Sequence, residues 1–509
     1  MPIRRGAQRE YATRPVTVSA AMIAAGFVAA SCQGVKPVAS EPSSAVLRVG
    51  IALSVLSATN PATGLRQLSQ LLSVEQFVRA GEDGRFEPGL ADKWAVGSDG
   101  RSLLLTLRPG VKFHDGSPLD ASTIAALLPG GFRSFWGSLA DEVEHVKAVA
   151  ENTVEIGFRR PSPFLQEMLE VTIRKPGAAI IGTGPFMMAP NSTTTLRANS
   201  GYYLGAPRIS EVQLSSFPEV RTAWAELLRN RIDMLYEVGP DAFDSLQSST
   251  SVALFTYTRH YQFLIAFNTQ APALRSSAVR RALNLAVDRT EVVRRALNEH
   301  GVPSSGPMWL RYWALPIPLP TFQFDPAGAA AVLNAGRPAT RSAGVRFTCL
   351  VPSDAVHERI SLEVKRQLQA VGVEMDVQGV TQDQLYEALM KRNFDAILTE
   401  GISGPTALRL QFLWDSRGAG NQGGFGNPTL DRAFDRIKSA ENETSYREAV
   451  GALQQAFLDD PPAIFLAWGE RARAVSKRFI VPPLEPGRDV LGTMRLWTPR
   501  EDERFTDRN

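Results

Sequence analysis

Residues 345–399 read VRFTCLVPSDAVHERISLEVKRQLQAVGVEMDVQGVTQDQLYEALMKRNFDAILT, and the spacing of their apolar side chains alternates between two periods. The apolar run 345–351 has strand character and passes through Pro352, Ser353 and Asp354 into a stretch where Ile360, Val364, Leu368 and Val371 share one helical side. Gly372 stops that helix, Val373, Met375 and Val377 alternate as a second strand, a helix follows at 382–391, and 394–399 forms a third strand. Strands alternating with helices at this spacing need right-handed crossovers, so the segment predicts a parallel sheet with helices packed on it. Ligands of such sheets bind beyond the carboxyl ends of the strands, here the loops 352–355 and 400–408. Cys349 lies inside the first strand and is expected to be a buried core thiol.

Outward from this unit the chain runs to 509 residues, enough for two to four domains at about 150 residues each. With 44% hydrophobic and 21% charged residues it has the composition of a soluble globular body. The 55 Lys and Arg nearly cancel the 52 Asp and Glu and are interspersed with them, so no basic stripe points to nucleic acid. At the N-terminus Arg4, Arg5, Arg9 and Arg14 precede an uncharged Ala-rich run at 15–31, which ends in Ala29, Ala30 and Ser31 before Cys32. That order reads as an export signal over 1–31, with an apolar part too weak for a permanent span. Residues 32–45, rich in Pro and Ser, read as a tether, and a strand is expected at 47–51. The next hundred residues are punctuated by Asp83-Gly84, Asp99-Gly100, Pro109-Gly110 and Asp115-Gly116, which predict hairpins in a β-rich layer with few helices. Helical spacing returns at 221–229 and 279–297. In the latter Val279, Ala282, Leu283, Ala286 and Val287 share a face, and Arg280, Arg281, Asp288 and Arg289 are expected to point outward.

The common nucleotide, hydrolase, zinc and calcium motifs are missing from the sequence. His114, His145, His260, His300 and His357 have no ligand spacing, so no metal and no cofactor are expected. His357-Glu358 reads as a solvated helix face, His114-Asp115 as a turn, and Asp431 with Asp435 as the polar side of a charged helix. No catalytic set is visible, and an exported chain of this size without one is expected to bind rather than to transform.

The β-rich part carries EPGLADKW at 87–94, SDG at 98–100 and LRPGVKFHDGSPL at 107–119. This series resembles the extracytoplasmic solute-binding proteins of peptide and nickel ABC transporters, the family 5 solute-binding proteins. GTGPF at 182–186, YYLGAP at 202–207, VRRALNLAVDR at 279–289 and FDP at 324–326 follow in that family's order. The segment around Cys32 is similar to a bacterial lipoprotein signal, in which the Cys receives lipid; the alternative is an ordinary secretory signal. The resemblance implies an α/β, bilobal fold of the type II periplasmic-binding-protein kind, with mixed sheets and an inserted β-rich domain. Its domains would be a discontinuous domain I at 46–75, 180–262 and 475–509, domain II at 76–179, and domain III at 263–474. Hinge crossings are expected within 261–268 and 474–478.

The same resemblance implies a monomeric receptor that closes over a peptide or other small polar solute and hands it to ABC transporter permease subunits, held to a membrane through lipid on Cys32. Peptide-binding members place an acidic residue, which pairs with the peptide's α-ammonium, where Gly401 stands here, and a second one at Gly404. Only Glu400 remains nearby. Glu400 is therefore a candidate ligand contact, with Arg409 for a carboxylate, Trp414 for stacking, and Asn421 for a polar contact or a turn. For Arg409 the alternative is a solvated helix start, and for Trp414 ordinary packing. A ligand sensor without import, or a secreted hydrolase, remain the rival readings.

Overall fold

The structure is a computed structural model that describes residues 45–52, 61–161, 167–177, 179–304, 306–335, 344–402, 406–418, 420–484 and 488–500. The expected signal at 1–31, Cys32, the tether as far as residue 44, and Gly404 with Pro405 lie outside the described residues.

The stretch quoted first folds as expected. The strand Arg346–Pro352 lies between Glu374–Val380 and Ala396–Ile402 and is parallel to both, with Cys349 opposite Val377 and Ala396. Asp354 starts the helix Ala355–Gln369 by accepting from the backbone N–H of Val356 and His357, which satisfies two donors of the first turn. Ile360, Val364, Leu368 and Val371 are buried against the sheet. Cys349 is fully buried, and burial pushes its thiol up to about 12.

These three strands form one end of a mixed sheet of eleven strands among the described residues. Its other end runs Phe186–Met188, Thr195–Ala198, Glu211–Phe217, Val46–Ala52 and Met234–Val238. Two long antiparallel strands, Val252–Phe267 and Ala463–Ser476, join the halves. Their ladder shifts register between Thr258 and Gln262, leaving Arg259, His260 and Tyr261 outside that ladder. A second, four-stranded sheet of Ala91–Val96, Ser102–Leu107, Thr153–Phe158 and Val143–Ala150 carries its own apolar core. The Asp-Gly pairs turn its chain: Gly100 and Gly116 take φ of 64° and 84°, which an L side chain resists.

The β-rich region holds few helices, as expected: its one α-helix among the described residues, Ala121–Trp136, is capped by Asp120, with Ile124, Leu128, Phe132 and Trp136 buried. Its internal Pro129, Gly130 and Gly131 are turn residues by propensity, and burial of its apolar face overrides them. Two other expectations are corrected. The span 279–297 is two helices, Ser277–Leu285 and Arg289–Ala296, and Arg280 and Arg289 point inward. Arg280 donates to the carbonyls of Leu274, Arg275 and Pro461 and pairs with Asp460. Arg289 donates to the carbonyls of Asn284, Val287 and Phe465, and burial lowers it to about 10. A guanidinium fork reaches several carbonyls at once, which is why these arginines can be buried. His357, expected on a solvated face, is mostly buried and bonds Asp354 at 2.7 Å.

Candidate functional site: a buried polar cluster at the strand crossing

The register shift decides where the polar groups gather. Arg259, His260 and Tyr261 leave the ladder with Ala463–Ser476 just where Val252–Phe267 begins to pair with Ala396–Ile402, Tyr261 opposite Ile402 and Phe263 opposite Glu400. The Glu400 carboxylate accepts from Arg259 at 3.1 Å and Arg471 at 3.0 Å. The same two guanidinium groups lie 3.4 and 3.3 Å from Glu237, closing a ring of two cations and two anions. Burial pulls the Glu400 carboxyl up, but Arg471 and Arg259 together outweigh it and hold the group below the usual carboxylate range. Phe263 packs between Arg471 and His357, at 5.4 Å from each. The helix Ala355–Gln369, which follows Arg346–Pro352, brings His357 close enough to act on Glu400, and Asp354 bonds that imidazole.

Beside this ring the aromatic side chains of His260, Trp309 and Trp468 follow edge to face at 5.0 Å spacings. Burial, assisted by Arg409, lowers His260 to about 4, so the imidazole is neutral near pH 7. Arg409 projects from the helix Ala407–Trp414, packs over Phe135 at 4.7 Å and Trp136 at 5.7 Å, and lies 3.6 Å from Glu170. Tyr261 stands between the two groups: burial raises its phenol, and Arg259, Arg409, Glu400 and Glu237 all act on it.

The charges of Arg259, Arg471 and Arg409 are matched by Glu237, Glu400 and Glu170. Their hydrogen bonds are incomplete. Arg259 Nε, Arg409 Nε, Trp468 Nε1, Glu400 Oε1 and Glu170 Oε2 are buried without a partner among the described residues. A buried donor or acceptor left unmade costs about 1–3 kcal/mol, which makes these atoms candidates for a contact with a bound solute.

Of the four residues singled out in the sequence, Glu400 and Arg409 face this region. Trp414 is buried against Phe457 and Phe465 at 6.5 and 6.0 Å. The Asn421 amide serves its own loop, donating to the carbonyls of Asp415 and Phe425 and accepting from the Phe425 N–H. Sequence reasoning missed Arg259, Tyr261, Glu237 and Arg471. The available signal was charge inside strands that otherwise read as apolar, as in LAWGERARAV at 466–475.

Comparison with known proteins gives this geometry a context. The sequence model described as bacterial extracellular solute-binding proteins, family 5 middle, matches residues 85–424. The nickel-binding periplasmic protein of Escherichia coli is 23% identical over 435 residues, covering 74% of this chain and 80% of that protein. The oligopeptide-binding protein AppA of Bacillus subtilis is 24% identical over 449 residues, covering 77% and 80% respectively. The crystal structure of the ABC transporter substrate-binding protein CtaP of Listeria monocytogenes superposes with a TM-score of 0.75 at 19% identity, over 89% of this chain and 99% of that one. The fold is therefore the bilobal α/β fold of periplasmic binding proteins, and the chain belongs to the bacterial extracellular solute-binding proteins of family 5.

Proposed function

We propose that this protein is the extracytoplasmic receptor of an ABC importer that closes over a peptide or other small polar solute at the cleft around Tyr261. It would deliver the solute unaltered to a membrane permease, as a monomer tethered by lipid on Cys32. The observation that carries this reading is the set of buried, unpaired polar atoms on Arg259, Arg409, Trp468, Glu400 and Glu170. Family membership supports binding rather than catalysis. Because three arginines face three glutamates, the favoured solute is neutral or zwitterionic overall. A free α-ammonium is the weaker choice, since Glu400 is already held by two guanidinium groups and position 401 is glycine.

Mass spectrometry of whatever copurifies with the protein tests this directly. An intact small molecule is expected. Recovered cleavage products would favour a hydrolase, and a thermal-shift screen of peptides, nickel chelates, opines and oligosaccharides without any response would overturn the receptor reading.

A further inference from the structure

The helix Ala407–Trp414 begins in an unusual way. Its N-cap residue is Thr406, yet the Thr406 hydroxyl makes no capping bond and is buried without a partner among the described residues. The N–H of Leu408 is satisfied instead by Glu167, 241 residues earlier in the chain, whose Oε2 accepts at 3.1 Å. Glu167 is itself fixed by the hydroxyls of Tyr312 and Tyr446, which donate to its Oε1 at 2.7 and 2.6 Å. The Leu408 side chain enters the apolar core of the β-rich insertion, among residues such as Leu105, Phe132 and Ile156. One residue on, Arg409 lies over Phe135 and Trp136 of that insertion. Nearby, Trp309 donates its indole N–H to the carbonyl of Glu82 at 2.7 Å, and Arg311 pairs with the Glu82 side chain.

We propose that Glu167 is a positioning residue of the solute site: it caps the first turn of the helix Ala407–Trp414 from the β-rich insertion, and so presents Arg409 to the cleft only when the insertion and the α/β lobe are in contact. The inference rests on the reading of the cleft as a solute site. A helix N-terminus without a cap of its own leaves backbone donors unmet, so separation of the lobes exposes this turn and closure satisfies it again. The clasp makes contact between lobes and arrangement of the cleft one event. It also explains why a carboxylate is kept at a buried place where burial pushes it up: its acceptors serve two hydroxyls and one backbone N–H at once.

The test uses the full chain with Cys32→Ser, carrying Glu82→Cys and Arg311→Cys, and no solute. The rate at which a short bis-maleimide links the two thiols reports how often the lobes meet. Glu167→Ala should slow linking about tenfold, the effect of losing hydrogen bonds to a charged group. Glu167→Gln, which keeps an oxygen for the Leu408 N–H, should retain most of the rate. If Glu167→Ala does not fold, Glu167→Asp, one methylene too short to hold both tyrosine hydroxyls and the Leu408 N–H together, should slow linking likewise. Equal rates for the parent and Glu167→Ala would overturn the proposal, as would a parent protein that never cross-links. This measurement needs no solute, so its failure is distinct from a failed solute screen, which would overturn the receptor reading instead.

Discussion

At the residue scale the polar cluster is governed by how buried charges are matched. Removing Glu400 leaves Arg259 and Arg471 to share Glu237, an excess positive charge in a buried site. Glu400→Ala should therefore lower stability by about 3 kcal/mol, and adding Arg259→Met should restore part of that loss, both read from urea unfolding. His260 gives a pH signature. In the unfolded chain it takes up a proton near its ordinary value of 6.5, whereas in the fold burial and Arg409 hold the proton off until about 4. Between these values the unfolded chain binds more protons, so the contribution of His260 is complete above pH 6.5 and is lost as the pH falls toward 4. A shift of that size corresponds to at most about 3 kcal/mol. His260→Asn should lose correspondingly less stability than the parent between neutral pH and pH near 4, and equal slopes would remove this assignment.

At the scale of elements, caps and forks hold helices to strands. Asp288 accepts from the N–H groups of Thr290 and Glu291 and starts the helix Arg289–Ala296. Asp288→Ala should cost about 1 kcal/mol, the usual value of an N-cap. The neighbouring Arg289→Lys should cost more, about 2–4 kcal/mol, since an ammonium cannot reach the carbonyls of Asn284, Val287 and Phe465 together. Denaturant midpoints of the two variants check both the order and the sizes. The family-like motifs at 182–186 and 202–207 also act at this scale: Thr183, Tyr202 and Tyr203 all donate to Glu75 at 2.7–2.9 Å. A side chain at Gly182 would meet the Ser73 carbonyl at 2.1 Å, so that position needs glycine for close packing, not for ligand.

At the scale of the molecule, the two long strands Val252–Phe267 and Ala463–Ser476 carry the connection between the halves of the main sheet, with a register shift between Thr258 and Gln262. A solute that binds only the native protein adds RT ln(1+[L]/Kd), about 2.7 kcal/mol at a hundredfold excess over Kd. The matching solute should raise the melting temperature and make the scattering profile more compact. A tightly bound solute that leaves both unchanged would refute capture by closure.

The sequence by itself determined the parallel unit at 345–399, the turns of the insertion and the family, because each rests on local periodicity, on turn chemistry or on a run of adjacent residues. It pointed to Glu400 through its expected place after a strand's carboxyl end, although the strand runs on to Ile402, and to Arg409 through its charge at a helix start. The partners of these residues, Arg259, Glu237, Arg471 and Glu170, were beyond its reach, because they come from distant parts of the chain and meet only when the strands pair. Nor could periodicity tell that Arg280 and Arg289 turn inward: a guanidinium is buried only where backbone carbonyls of other segments stand ready to receive it, and tertiary packing alone brings those carbonyls there.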